Sequence, residues 1–226
     1  MEPVRREKTG EARTVATVTG LGVVQLRHPT KLTSEEYVKQ QAWKSASLEQ
    51  CPLHPKGGCG LARHTPYERV EPAGMWIARW YCAEGNTTFS LLPDCLASRL
   101  SSTLTAVEEV ARAVEEREGT LEEVAEKLRP EIGVQGALRW VRRRVEAARQ
   151  AMTALKGLLP ELLGEVVPTL AAVGAALSLQ AVLVAVRELS GAQLSSLPPC
   201  VGFGPRPERG DKGRSHRQQG TGADPP

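Results

Sequence analysis

Four cysteines, Cys51, Cys59, Cys82 and Cys95, fall within one stretch of the chain, with His54 three residues after the first. Thiolate and imidazole are the donors that tetrahedral zinc prefers. Pro52 after Cys51 and Gly60 after Cys59 favour tight turns whose backbone amides can face a sulfur. Cys51, Cys59 and Cys82 read as three ligands, with His54 or Cys95 as the fourth. Cys200 stands apart and reads as a free thiol. The second concentration of chemistry is cationic. Gln135, Arg139, Arg142, Arg143, Arg144 and Arg149 share one run in which Glu146 is the single acid. Guanidinium groups suit phosphate oxygens and the edge of guanine.

The surrounding residues predict the elements that must hold these groups. Arg63–Val70 and Met75–Cys82 alternate large apolar with polar residues across a turn at Glu71–Gly74, which predicts a β-hairpin. Thr87–Leu92 is rich in β-branched and apolar residues and predicts a third strand. From Ser101 the period changes. Leu104, Val107, Val110, Ala111 and Val114 recur at helical spacing, and Glu108, Glu109, Glu115 and Glu116 read as a solvated face. Gly119 ends that helix. Thr120 and Glu123 form a capping box for a second helix, striped by Leu121, Val124, Ala125 and Leu128. Arg129–Gly133 forms a turn, and a third helix starts near Val134 with Leu138, Val141, Val145 and Ala148 on its apolar face.

A short capped helix, a turn and a longer basic helix follow the order of a helix-turn-helix, whose second helix enters the DNA major groove. Gln135 and Arg139 would then read bases, while Arg142, Arg143, Arg144 and Arg149 anchor phosphates. The competing reading is a helical bundle whose arginines pair with the glutamates of Glu108–Glu118. Cys51-Pro52, Arg79-Trp80-Tyr81-Cys82 and Thr88-Phe89 also match a known pattern. Over about residues 51 to 150 the chain resembles the zinc ribbon and helix-turn-helix of small insertion-sequence proteins and transposase N-termini in bacteria. It departs from that pattern at Gly85, where the family has a ligand, and at an insertion before Cys59. The resemblance implies bound zinc and double-stranded DNA as partner, in a transcriptional regulator or a transposition accessory protein.

The chain has 226 residues, 41% of them hydrophobic and 24% charged, with a net charge of +3. This is ordinary for a globular protein, so the distribution of charge, rather than its sum, bears on nucleic acid. The fold class expected is α+β, mainly α. Residues 1–33 read as a flexible leader, with Val15–Leu26 either part of it or a strand pair around Gly20 and Gly22, and they lack the apolar core of a signal peptide, so cytoplasmic placement and reduced thiols are expected. Residues 34–96 read as a helix plus a zinc-ribbon-like domain, 101–150 as the helix-turn-helix region, 151–197 as an apolar helical region and 198–226 as a disordered basic tail. Residues 166–186 carry no charge and meet the length of a membrane span. Their small residues Ala171, Gly174, Ala175 and Ser178 fit better a buried helix or a homodimer surface. No small-molecule substrate and no catalysis are expected. Asp occurs only at 94, 211 and 224, and no serine or cysteine nucleophile has a credible base beside it. A helical protein-interaction scaffold is the alternative function.

Overall fold

The computed structural model describes residues 23–204. They form an α+β fold with one four-stranded sheet and seven α-helices. In chain order these are β1 (Val23–His28), α1 (Ser34–Lys39), β2 (Ala62–Glu68), β3 (Trp76–Cys82) and β4 (Thr87–Pro93). The helices α2 (Leu104–Glu115), α3 (Leu121–Leu128), α4 (Gly133–Leu158), α5 (Pro160–Leu163), α6 (Leu170–Leu177) and α7 (Val182–Leu189) follow. The strand order is β1-β4-β3-β2, with β1 parallel to β4 and the other pairs antiparallel.

The expected hairpin and third strand are present, and the expected flexible leader is corrected in part. Residues 23–28 of it are the edge strand β1, paired with β4 from Val23↔Thr88 to His28↔Pro93. Two side chains lock it there. Arg27 makes a bidentate ion pair with Asp94 at 2.8 and 3.0 Å, and Gln25 Oε1 accepts the N–H of Arg99 at 3.0 Å. Residues 1–22 lie outside the described residues. The helix expected at the start of residues 34–96 is α1, where Thr33 and Glu36 form a complete capping box, and its Tyr37 is fully buried. One sheet face carries Val24, Phe89 and Trp80 in register, covering the first knot of cysteines; Tyr37, Met75, Ile77 and Leu92 form a neighbouring cluster.

The helices bury two further cores. Val110 and Val114 of α2, Ala125 of α3 and Ala137, Leu138 and Val141 of α4 pack as a three-helix unit. A larger core joins α2 and α4 to α5, α6 and α7. Here the solvated glutamate face is corrected at one position, while Glu109, Glu115 and Glu116 are exposed as expected. Glu108 is buried at 5% exposure, and its carboxylate accepts the N–H groups of Val182 and Leu183 at 3.0 and 2.9 Å, capping α7. Glu115 accepts from Leu170 and Ala171 at 3.0 and 3.2 Å and caps α6. Free helix N–H groups need such acceptors, and a carboxylate there also meets the positive end of the helix dipole. Periodicity marks Glu108 as polar but carries no sign of a cap supplied from seventy residues away.

The uncharged stretch 166–186 is not one helix. Ser178 takes a left-handed backbone with φ of 53°, and α6 and α7 meet at a bend of 60°. Among the described residues no single helix is long and apolar enough to cross a membrane, although the bent pair meets the length and composition of a broken span. Within α6, Gly174 is pressed against α7: a Cβ there would sit 3.0 Å from Val182. So part of the proposed dimer face is already spent inside the chain, leaving Ala171, Ala175 and Ser178 outside that packing. The basic tail is corrected at its start. Cys200 and Val201 are fully buried, and residues beyond Gly204 lie outside the described ones.

Candidate metal centre and arginine face

The sheet positions the ligands. Cys82 ends β3, and the turn Ala83–Asn86 that follows returns the chain into β4. In that turn the Gly85 N–H donates to Cys82 Sγ at 3.2 Å, and Asn86 takes a φ of 42°. The loop before β2 brings up the other ligands. His54 N–H donates to the Cys51 carbonyl at 3.1 Å, forming a tight turn, and Gly57, Gly58 and Gly60 take the left-handed φ values that let the chain reach Cys59. Glu84 N–H donates to the Cys59 carbonyl at 3.4 Å, tying the two turns together.

Cys51 Sγ, His54, Cys59 Sγ and Cys82 Sγ converge so that one ligand atom from each lies within 4.8 Å of all the others. His54 Nδ1 is 3.6 Å from Cys51 Sγ and 3.3 Å from Cys82 Sγ. A tetrahedron with Zn–S of about 2.3 Å and Zn–N of about 2.0 Å has edges of roughly 3.5 Å. The cradle therefore fits a metal ion in size and in donor chemistry. His54 Nε2 faces Glu84 Oε2 at 3.5 Å, and such an outer carboxylate fixes the ring and its tautomer. The thiols perturb one another. Burial opposes ionisation of Cys51, but hydrogen bonds from His54 and from the backbone of Leu53 and His54 outweigh it and bring the thiol down to about 7. Burial and the neighbouring sulfurs of Cys51 and Cys82 push Cys59 up to about 11.

The geometry resolves the choice of fourth ligand. His54 joins the three cysteines, whereas Cys95 lies in the Tyr37 cluster and burial pushes its thiol up to about 11. Gly85 also gains a reason. A Cβ at 85 would lie 2.6 Å from Leu53 Cδ1 and 3.3 Å from Cys82 Sγ, so the Leu53 side chain fills the space that a side chain at 85 would need, with His54 Cε1 in contact at 3.5 Å. Glu84 and the role of Gly85 were missed in the sequence; an acid two residues past a ligand cysteine was the available signal.

The second concentration of charge lies on α4, a helix of 26 residues. Gln135, Arg139, Arg142, Arg143 and Arg149 are all exposed. Among the described residues Arg139, Arg142 and Arg143 have no ion-pair partner, and Arg149 reaches only Glu146, at 3.7 Å. The pairing of these arginines with the α2 glutamates is thus not what the fold uses. Arg144 is the exception and a correction to its reading as a phosphate anchor. It is 5% exposed, stacks 3.7 Å over the Trp140 ring, donates to the Ser101 carbonyl at 3.0 Å and lies 3.8 Å from Glu71. Burial lowers its pKa to about 10. Arg129 joins the same cluster, 4.9 Å from the Trp140 ring and 3.2 Å from Glu71. Glu71 belongs to the β2–β3 turn, so these arginines join the helical unit to the sheet.

No protein-family model, curated protein or solved structure matches the chain.

Proposed function

We propose that the protein binds double-stranded DNA through α3 and α4 and that zinc held by Cys51, His54, Cys59 and Cys82 stabilises the sheet beside them. The reading makes the sheet a zinc ribbon, the α3–α4 pair a helix-turn-helix and the protein non-catalytic, similar to regulators or accessory proteins of mobile elements. One observation supports it above the others. The exposed side of α4 presents Arg139, Arg142 and Arg143 without carboxylate partners among the described residues, while the opposite side packs on α2 and α3. Unpaired guanidinium groups on one helix face repel one another and are relieved by an external polyanion. Gln135 and Arg139, near the start of α4, would approach base edges. Three buried thiols and an imidazole at tetrahedral spacing support zinc over harder cations, and the ion would act as a cross-link between the two turns.

The test is a titration of labelled duplex at several salt concentrations, with an Arg142→Glu/Arg143→Glu variant alongside. The expected result is wild-type binding that weakens steeply with salt and is abolished in the variant, with the melting temperature unchanged. A variant that binds as well as wild type overturns the assignment of α4. The alternative, a protein-interaction scaffold, draws on Leu158, Leu162 and Val167, which are 38%, 64% and 62% exposed near α5. It gains ground if neither form binds duplex and removing Leu162 lowers the protein's self-association.

A further inference from the structure

The arginine face of α4 is not an isolated strip. It forms one wall of a groove of about 740 Å³ to which residues far away in sequence contribute. Arg142, Arg143 and Arg149 come from α4, Arg117 from just beyond the end of α2, and Arg99 from the β4–α2 connection. Glu146 is the one carboxylate in the lining. Five arginines from three segments of chain therefore line it.

Arg99 is held for this position. Its backbone takes the left-handed φ of 56°, which an L side chain rarely adopts, and its N–H is fixed to Gln25 of β1. Its Nε is buried and has no hydrogen-bond partner among the described residues. Arg117 is steadied from the other end by donating to the Val114 carbonyl at 2.6 Å.

The groove is extended. A second cavity of about 420 Å³ shares Val114, Arg117, Val145 and Arg149 with the first and runs on to Thr169 at the start of α6. Its far end carries Glu115, whose carboxylate is already engaged by α6. The lining holds no aromatic side chain, so unstacked bases would find no platform. The second cavity adds mainly apolar residues, so the charge is concentrated in the first, and what fits a groove lined by five arginines and one carboxylate without stacking partners is a run of phosphates.

We infer that this groove takes the sugar–phosphate backbone of the duplex, with Arg99 and Arg117 touching phosphates beyond those met by α4. The inference rests on the DNA-binding reading of α4 and extends its binding surface to the sheet-to-helix connection. Arg99 then couples the two units of the fold in a further way, because β1 sets the backbone from which its side chain reaches the groove.

The experiment measures affinity of the full chain for labelled duplex against salt, for wild type, Arg99→Gln/Arg117→Gln and Arg117→Lys. Each phosphate that the protein no longer neutralises lowers the log–log salt slope by about 0.9. The double variant is expected to show a slope lower by about two such increments and to bind more weakly at low salt. Its preference between one duplex sequence and another should not change, because groups that meet phosphates position the protein without reading bases. Arg117→Lys should retain the wild-type slope. A wild-type slope in the double variant overturns the inference while leaving α4 as the docking helix. Absence of wild-type binding at low salt overturns both. A circular dichroism melt of each variant accompanies the titration. If the double variant is unfolded, the single Arg99→Gln variant is read in its place, with a slope lower by about one increment expected and an unchanged slope overturning the inference.

Discussion

The Cys51–His54–Cys59–Cys82 cradle and the exposed side of α4 are both dense in polar groups, yet they are built in opposite ways. In the cradle the cysteines are buried, each turn is held by backbone hydrogen bonds, and one amide already points at a sulfur. On the exposed side of α4, Arg139, Arg142 and Arg143 have no carboxylate partner among the described residues, and Arg149 lies beside Glu146. A small ion requires donors fixed to within a few tenths of an ångström. A long polyanion requires charge spread along a surface, with freedom to adjust. The same division runs through the arginines themselves. Arg187, 1% exposed, spends its guanidinium on the carbonyls of Asp94, Leu96, Cys200 and Val201, and burial lowers its pKa to about 10. Arg142 and Arg143 spend theirs on nothing within the described chain.

Four perturbations break or sharpen this contrast, the largest first. Stripping metal with a chelator, or replacing Cys82 by serine, should unfold the cradle side of the sheet, since structural zinc contributes on the order of 10 kcal/mol in small sites. Trp80 packs with the cradle cysteines and Trp43 shares a neighbouring cluster with it, so tryptophan fluorescence should change more than helical circular dichroism; unchanged fluorescence after verified metal removal would count against the site. Zinc affinity should also fall on acidification, because protons compete for the thiolates and for His54. Glu108→Ala comes next, at about 3 kcal/mol or more, because it leaves Arg112 and two N–H groups of α7 without their buried acceptor. The urea midpoint measures it, and a loss under about 1 kcal/mol would show that α7 does not need that cap.

A matched pair of substitutions tests the arginines. Arg144→Ala should cost about 2 kcal/mol by removing the stacking on Trp140 and the bond to Ser101, whereas Arg143→Ala should stay within about 0.5 kcal/mol. Equal costs in thermal melts would erase the distinction between buried and presented arginines. Glu71→Gln is the smallest, about 0.5 kcal/mol, because that carboxylate is partly exposed to water and screened. A change above about 2 kcal/mol would mean that the turn bearing it is more tightly coupled to α4 than its exposure suggests.

Local pattern carried most of what was legible. The hairpin, the bounds of α3, the starts of α2 and α4 to within a few residues, the Thr120–Glu123 capping box and three of the four cradle residues follow from alternation, period and turn chemistry, whereas α4 runs on to Leu158 through the boundary expected at residue 150. What escaped depends on partners distant in sequence. Nothing near Val23–His28 announces a parallel partner at Thr87–Pro93, since parallel pairing leaves no turn signal. Arg144 and Arg143 are indistinguishable by type, and only the placement of Trp140 and Glu71 makes one structural. Glu108 reads as surface on a helical wheel until α7 arrives to need it. His54 won over Cys95 because β3 and β4 carry Cys95 away from the cradle, which spacing alone does not state.

The segment Asp94–Arg99 is where the two ends of the described chain meet. Arg27 and Gln25 reach it from the amino-terminal side; Arg187 and Cys200 reach it from the other, the latter through the Ser98 N–H at 2.9 Å. During synthesis these arrivals are ordered in time. The cradle is complete once the chain through β4 has left the ribosome, but Arg187 cannot satisfy its guanidinium until Cys200 and Val201 have followed. A chain halted at Ser190 should therefore hold metal while its joint with the helices stays open to protease. Only the last stretch, through Gly204, acts as the latch that shuts it.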